Sequence, residues 1–330
     1  MDWVASSSEA LVRAVEVPDS HVQVMSELYC PKKTTFARVE YVDLAGGARR
    51  KRSNGEHVAT FFANVRSAAA LVHVVDGFSI PEAIGELVED AIHEVDTELA
   101  IADLEVCERR IARLDKEGTK SGAEALERVA LVRAAVELSE GRPLRLTPEI
   151  ANSPELRSFS LLSAKPVVTV VNTAESQPHF DPRCLPEKVR RAREGAWGRF
   201  VALCGELEAE LATLAPQDAR AFLADFGIDE PARELVIRES FEMLGLMPFY
   251  TVGADEVRAW TIPSAATAEE AAGVIHTDIA RGFIRAEVVG CESLIALAGF
   301  ENARKKGKVR LEGKSYRMRS GDVVNFRFNV

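Results

Sequence analysis

Over the first third of the chain, the pattern of apolar and polar positions alternates between the period of a strand and that of a helix. Two longer apolar runs, "ALVHVVDGF" at 70–78 and "KPVVTVVNTAES" at 165–176, are typical of strands buried in a parallel sheet. Strands separated by helices predict an open α/β sheet whose ligands bind at the carboxyl ends of its strands. The earlier strands are predicted at 11–17 and 37–44, and the helices at 19–28 and 57–68.

A long helical segment, predicted at 94–140, separates the two apolar runs. Its two arms are divided by the glycines of "KEGTKSG". This spacing predicts an antiparallel helical hairpin, and the dense charge on its outer faces favours a projecting hairpin over two surface helices packed on the sheet. The apolar repeat is Ala100, Leu104, Cys107, Ile111 and Leu114 in the first arm, and Leu126, Val129, Val132 and Val136 in the second.

Short strands with Gly and Ser turns follow from about residue 247, around one small helix at 268–274. They predict a compact mixed α+β domain. We therefore expect three parts. These are an α/β domain formed by 1–93 and 141–246, a hairpin inserted at 94–140, and a C-terminal domain at 247–330.

Composition narrows the class of protein. The chain has 330 residues, of which 47% are hydrophobic, and a net charge of −10, so we expect an ordinary soluble protein in which any RNA contact is local. The five cysteines form no C-x-x-C pair, and no secretory leader or long apolar span is evident. The sequence therefore predicts a cytoplasmic protein with reduced thiols, no zinc site and no membrane contact.

Two strand ends carry candidate nucleotide chemistry. Asp43 and Gly46 form D-x-x-G, in which a carboxylate can order the water shell of Mg²⁺ and a glycine N–H can approach a γ-phosphate. A strand that simply ends in a glycine turn would give the same pattern. Asn172 and Glu175 follow the second buried strand, where a carboxylate could accept from guanine and the amide could brace the loop. Because Glu is one methylene longer than Asp, strict guanine selectivity is not expected.

Five segments of the chain are typical of one known family: "VEYVDLAG", "VVTVVNTAE", "FLADFGIDEPARELVIRESFEMLGLMPFYTVGADEVRAWTI", "AAGVIHTDIARGFIRAEVV" and "GDVVNFRFNV". Through them, and over about residues 10 to 330, the chain resembles the YchF family, the Obg-like ATPases among P-loop NTPases. The resemblance implies a coiled-coil insertion, a C-terminal TGS domain of β-grasp fold, and ATP or GTP with Mg²⁺ as ligand. It assigns nucleotide binding to Asn172, Thr173, Glu175, Asp43 and Gly46, with Asp43 reaching Mg²⁺ through water. The catalytic residue stays unknown.

The phosphate-binding loop of that family is missing from the printed sequence. Residues 1–45 contain no glycine, and glycines are needed to bring several N–H groups onto a phosphate. The expected fold is therefore α/β, with an incomplete P-loop NTPase-type sheet, the hairpin and a β-grasp domain. We expect an NTPase switch impaired in hydrolysis; the alternatives are a non-hydrolysing ribosome- or RNA-binding remnant and a misassigned start upstream of Met1.

Basic and histidine residues supply the remaining candidates. Arg49, Arg50, Lys51 and Arg52 form a run of four cations, which is either a solvated loop or a contact with ribosomal or other structured RNA. A second basic cluster lies at 304–310. His276 is expected to be structural, and Ser7 is a weak match to a magnesium-binding position. We expect a monomer.

Overall fold

The protein is described by a computed structural model, which covers residues 11–43, 65–79, 83–119, 121–176, 180–191, 193, 197–225 and 227–329. The chain divides into two compact units. The first comprises residues 1–12 and 42–243, and the second comprises 13–41 and 244–330.

The described strands and helices alternate along the chain. The strands are β1 (Leu11–Glu16), β2 (Lys33–Thr35), β3 (Arg38–Asp43), β4 (Leu71–Asp76), β5 (Val167–Asn172), β6 (Gly198–Leu203), β7 (Leu246–Thr251), β8 (Glu256–Pro263), β9 (Phe283–Gly290), β10 (Arg310–Glu312) and β11 (Asp322–Phe328). The helices are α1 (Ser20–Tyr29), α2 (Ile84–Glu117), α3 (Gly122–Ser139), α4 (Pro148–Ala151), α5 (Glu187–Arg191), α6 (Gly205–Leu211), α7 (Pro216–Asp225), α8 (Ala232–Met243), α9 (Ala268–Ile275), α10 (Thr277–Arg281), α11 (Cys291–Ala296) and α12 (Phe300–Lys305).

A three-stranded parallel sheet, in the order β4-β5-β6, forms the centre of the first unit. Val167–Val171 of the central strand β5 are buried throughout, as the apolar run predicts. Helix α2 covers one face, where Val88 and Ile92 pack on Val75 and Val171. Helix α8 covers the other face at β5 and β6. This mixed α/β arrangement leaves the carboxyl ends of three parallel strands at one edge.

Two expectations about this sheet are wrong. Strand β4 is not buried on both faces. Val72 is 39% and Val74 is 63% exposed, because the core that α8 forms with β5 and β6 does not extend to β4. Strands β1 and β3 do not join the sheet either. Among the described residues they pair only with each other, as a separate two-stranded sheet.

Helices α2 and α3 lie against each other and share one apolar core, to which the segment 144–161 also contributes. Helix α2 begins at Ile84 and not near residue 94, because the apolar spacing of its C-terminal half continues back through Leu99, Ile92 and Val88. The core residues of α2 include Ala100, Cys107 and Leu114, with Leu104 and Ile111 packed beside them. The predicted repeat of the first arm is confirmed.

The predicted repeat of the second arm is wrong. The residues of α3 that are buried in the shared core are Leu131, Ala134 and Leu138. At 100° per residue these positions lie about 180° around the helix from the predicted ones. The predicted residues are all exposed: Leu126 by 60%, Val129 by 55%, Val132 by 38% and Val136 by 52%. Helix α3 therefore carries a second, exposed apolar face, and its buried face includes the small side chain of Ala134.

The second unit contains a six-stranded mixed sheet in the order β10-β9-β11-β7-β8-β2. Its main core lies beneath α9 and includes Phe249, Ile262, Val288, Val324 and Phe326. The capping box of Thr267 and Glu270 fixes the start of α9.

Residues 13–41 belong to this second unit, although the sequence analysis grouped them with the α/β domain. Local contacts explain the grouping. Strand β2 pairs in parallel with β8. The hydroxyl of Tyr250 donates to Asp19 Oδ2 over 2.7 Å, and the N–H of Phe300 donates to the hydroxyl of Tyr29 over 2.8 Å. Neither the pairing nor these two hydrogen bonds leaves a periodic signal in the sequence.

Candidate functional site

The carboxyl ends of β4, β5 and β6 form the candidate site. Asp76, Asn172 and Leu203 occupy equivalent positions on the three neighbouring strands. Each strand ends in a polar residue or is followed by a glycine. The groups that could contact a ligand at this edge therefore belong to residues 76–79, 172–176 and 203–206. Such an edge is where ligands bind in open α/β sheets.

Asn172 is held by both neighbouring strand ends. Its backbone carbonyl accepts a hydrogen bond of 2.8 Å from the N–H of Gly77. Its side-chain Oδ1 accepts one of 2.9 Å from the N–H of Gly205. Because Oδ1 is the acceptor in this bond, the amide is oriented with Nδ2 as the remaining donor. The geometry thus presents a fixed hydrogen-bond donor at the sheet edge.

Gly205 is a site residue that the sequence analysis did not select. A Cβ at this position would lie 3.3 Å from Asn172 Oδ1, so glycine allows the close approach of the backbone to the amide. The sequence does contain a signal for Gly205, because this glycine follows shortly after the end of the strand "GRFVAL". A polar residue or glycine at a strand end is also the signal that identifies the ends of β3 and β5.

The other two selected residues of this loop differ in environment. Thr173 is 2% exposed, and its N–H donates over 2.8 Å to the carbonyl of Leu203, so it joins β5 to β6. Glu175 is exposed, and among the described residues its carboxylate has no recorded hydrogen bond or ion pair. A fixed amide donor and an accessible carboxylate acceptor therefore lie in one short loop. This pair of groups fits the polar edge of a purine base.

Asp76 is a second carboxylate at the same edge, and sequence reasoning did not select it. Its Oδ1 accepts the N–H groups of Phe78 and Ser79, both over 3.1 Å, and its Oδ2 accepts the hydroxyl of Ser79 over 2.6 Å. These bonds shape the turn after β4. Asp76 therefore supports the loop beside Asn172.

The predicted phosphate and metal residues are placed elsewhere or lie outside the described part. Asp43 is the last residue of β3 and is exposed, and the structure does not bring it into the sheet that carries Asn172. Gly46, Arg49, Arg50, Lys51, Arg52 and Ser7 lie outside the described residues. His276 caps α10, since its Nδ1 accepts the N–H of Asp278 over 3.1 Å. This contact supports a structural role for His276.

Two properties of the described residues bear on metals and membranes. They contain no group of three or more His, Cys, Asp or Glu side chains arranged to hold a metal ion. None of the helices in the described part of the chain is long and apolar enough to cross a membrane.

A buried charge cluster lies in the same unit as the site. Asp96 of α2 accepts hydrogen bonds from Arg145 and, over 2.7 Å, from Arg193, and both arginine side chains are fully buried. Burial lowers the pKa of Arg193 to about 10, although Asp96 opposes this change. Burial and the nearby Arg193 lower the pKa of His73, on β4, to about 4. His73 is therefore neutral at pH 7, and the cluster of two arginines and one aspartate carries a net positive charge.

A second buried carboxylate connects α2 to the segment before β5. Asp103 accepts the N–H groups of Leu162 and Ser163 over 2.9 and 2.7 Å, the hydroxyl of Ser163 over 2.8 Å, and Nη1 of Arg66 over 3.3 Å. Burial raises the pKa of Asp103, and these hydrogen bonds oppose the increase. The contacts fix α2 to the entry of the central strand β5.

Sequence comparison finds known proteins that are similar to this chain over nearly its whole length. The chain is 37% identical over 331 residues to the ribosome-binding ATPase YchF of Bacillus subtilis, covering 97% of this chain and 89% of that protein. The chain belongs to the YchF family. The YchF protein of Escherichia coli O157:H7, also named a ribosome-binding ATPase, is 36% identical over 325 residues, which cover 96% of this chain and 88% of that protein.

Structural and domain comparisons agree with the assignment to the YchF family. The solved structure of the Schizosaccharomyces pombe YchF GTPase matches with a TM-score of 0.80 and 25% identity, covering 99% of this chain and 90% of that one. The model of the C-terminal domain of YchF GTPases, described as a protein of unknown function (DUF933), matches residues 246–329. The relatives are named as an ATPase and as a GTPase, so their names do not decide between the two bases.

Proposed function

We propose that this chain is a ribosome-associated nucleotide-binding protein whose base-recognition site is the loop edge at Asn172 and Glu175. The observation that carries the proposal is the fixed amide of Asn172, held between Gly77 and Gly205 beside an accessible carboxylate. ATP and GTP are the candidate ligands, because relatives are named as both ATPases and GTPases.

In this proposal each residue has one role. The Nδ2 group of Asn172 donates to an acceptor on the purine, and Glu175 accepts from the ring or amino N–H groups. Thr173 positions the loop through its backbone. The assignment of Asp43 and Gly46 to the phosphates, with Asp43 holding Mg²⁺ through water, requires the end of β3 to lie beside the sheet that carries Asn172. Among the described residues β3 pairs only with β1, so this assignment stays a prediction. Neither group distinguishes strongly between the two bases, since adenine and guanine both offer acceptors to the donor of Asn172 and amino N–H groups to Glu175.

The base site can be tested by calorimetric titration of the 330-residue protein with ATP and GTP. We expect weak binding with less than about tenfold preference for either base. Glu175→Ala should lower the affinity by about tenfold or more, because a hydrogen bond to a charged group contributes about 1.5–3 kcal/mol. Glu149→Ala, which removes an exposed carboxylate from α4, is the matched control. Submicromolar GTP binding with a tenfold preference over ATP, or an inert Glu175→Ala variant, would contradict the proposal.

Hydrolysis of ATP and GTP by the polypeptide of residues 1–330 is expected to be slow. Its 330 residues include no G-x-x-x-x-G-K-S/T sequence, and such loops supply much of the electrostatic stabilisation in phosphoryl transfer. Phosphate release by purified protein of residues 1–330 is the measurement. Turnover that is readily measured and is abolished by Asp43→Ala would overturn this expectation.

The ribosome is the proposed partner because close relatives are named ribosome-binding. We propose that the basic run Arg49–Arg52 contacts phosphate groups of ribosomal RNA. In the alternative, the chain is a non-hydrolysing ribosome- or RNA-binding protein that uses the same contacts. Co-sedimentation with ribosomes should weaken steeply with salt. Neutralising the four residues should reduce the slope of log K against log salt by about 0.7–0.9 per lost contact. An unchanged slope, or no co-sedimentation at low salt, would favour a solvated loop.

The proposal implies a cytoplasmic monomer, which sedimentation velocity would check.

A further inference from the structure

In the second unit, strand β11 extends past the end of its neighbour β7. It pairs with β9 from Asp322 opposite Gly290 to Phe328 opposite Phe283, with a register shift between Arg327 and Phe328. It pairs with β7 only at Val323. Among the described residues, no strand pairs with the β7-facing edge of 324–328. Because backbone groups alternate between the two edges of a strand, some N–H and C=O groups of this stretch are directed to that open edge.

A cleft of about 440 Å³, the β11 cleft, lies along this edge. Thr251 and Val252, where β7 ends, line it together with residues 324–326 and Phe328 of β11. The rest of its lining comes from helices α9, α10 and α12, with Ile275, Ile279, Phe300, Glu301 and Arg304. The cleft thus occupies the place that a continued neighbouring strand would take.

The charges in the β11 cleft are already balanced. Arg304 donates to Glu287 over 3.1 Å and also to Glu301. Asn325 donates to the same Glu287 over 2.9 Å. The described residues of the lining therefore offer no excess positive charge for a phosphate group. What they offer is strand backbone that no other described strand pairs with, beside apolar side chains that include Phe328, which is 46% exposed.

We propose that the β11 cleft binds an extended segment of a partner protein, which adds as a strand to the open edge of β11. An extended peptide supplies alternating N–H and C=O groups at the spacing of the edge, and its alternate side chains would enter between Ile275, Ile279 and Phe300. This interaction is separate from nucleotide binding, since every lining residue belongs to the second unit. A negative result here leaves the proposed base site unaffected.

The test is selection of a displayed library of random dodecapeptides on the full 330-residue protein. We expect enriched peptides with alternating apolar residues, and the best of them is then measured by fluorescence anisotropy. Val252→Trp, which fills the cleft from the turn after β7, should weaken that peptide at least about tenfold. Phe300→Ala provides a second, smaller perturbation if the tryptophan variant does not fold. Leu311→Ala is the matched control, because Leu311 is 63% exposed on β10 and does not line the cleft.

A second experiment distinguishes backbone pairing from docking through side chains alone. Two versions of the peptide are methylated on alternate backbone nitrogens, one on odd and one on even positions. Only the version that loses its edge-facing N–H groups should fail to bind. The proposal is overturned if no peptide is enriched, if both methylated versions bind equally, or if the cleft variants and Leu311→Ala behave alike. Displacement of the peptide by single-stranded oligouridylate would show instead that the cleft takes RNA.

Discussion

Replacing Asp96 with alanine is expected to destabilise the first unit by about 3–5 kcal/mol, the usual cost of breaking a buried ion pair. The Asp96 carboxylate is the acceptor for Arg145 and Arg193, whose side chains are fully buried. With the carboxylate present, two positive charges are offset by one negative charge. Without it, both guanidinium groups stay buried without that acceptor and repel each other. The loss of stability therefore comes mainly from the two buried guanidinium charges that have lost their acceptor, and only partly from lost packing.

Urea denaturation followed by far-ultraviolet circular dichroism is the assay. With a slope of about 1–3 kcal/mol per molar urea, the loss should lower the midpoint by about 1–5 M. Asp115→Ala is the matched control, since Asp115 lies on the same helix and pairs with Arg128 over 2.6 Å, but in an exposed position. Its midpoint should barely change, because solvent screens the exposed pair.

A double-substitution cycle separates buried charge from lost packing. Adding Arg193→Met to Asp96→Ala removes one stranded cation, so the double variant should be more stable than the sum of the two single effects predicts. Strict additivity, or equal midpoints for Asp96→Ala and Asp115→Ala, would refute the argument from buried charge.

Three further predictions concern helix α3, the dependence of stability on pH, and the candidate site. Leu131→Ala should cost about 2–5 kcal/mol in urea denaturation, whereas Val129→Ala on the exposed face of α3 should cost little. The pKa of His73 is about 4 in the folded protein and ordinarily 6.5, so stability should fall as the pH is lowered from about 6.5 to 4. His73→Gln should flatten that part of the profile; an unchanged profile would show that other groups dominate. Gly205→Ala should weaken nucleotide binding in calorimetry, because its Cβ would lie 3.3 Å from Asn172 Oδ1. Unaltered affinity would mean that the amide is not a ligand.

The sequence predicted best where apolar residues were continuous or evenly spaced. Val167–Val171 identified the central strand, and the spacing from Ala100 to Leu114 identified the buried face of α2. Helix α3 misled the prediction because it has two apolar faces, and the pattern of the larger residues indicated the wrong one. Its true contact face includes alanine, which hydrophobic periodicity weights weakly.

The site was only partly predictable for a different reason. Asn172 has a side chain that could be selected from its position at a strand end. Gly77 and Gly205 act through backbone N–H groups, which leave no side-chain signature. Asp96, Arg145 and Arg193 are distant in sequence and each alone reads as an ordinary surface charge, so only the fold brings them together.

The length of α2 has a mechanical consequence. It is a single helix of 34 residues, whose first turns pack on the sheet and whose last turn ends at Glu117. At 1.5 Å per residue it spans about 51 Å, so a tilt of about 5° at the sheet would displace the Glu117 end by about 4 Å. The helix is thus a lever arm that would convert a small rearrangement near the strand ends into a displacement as large as a side chain at its far end.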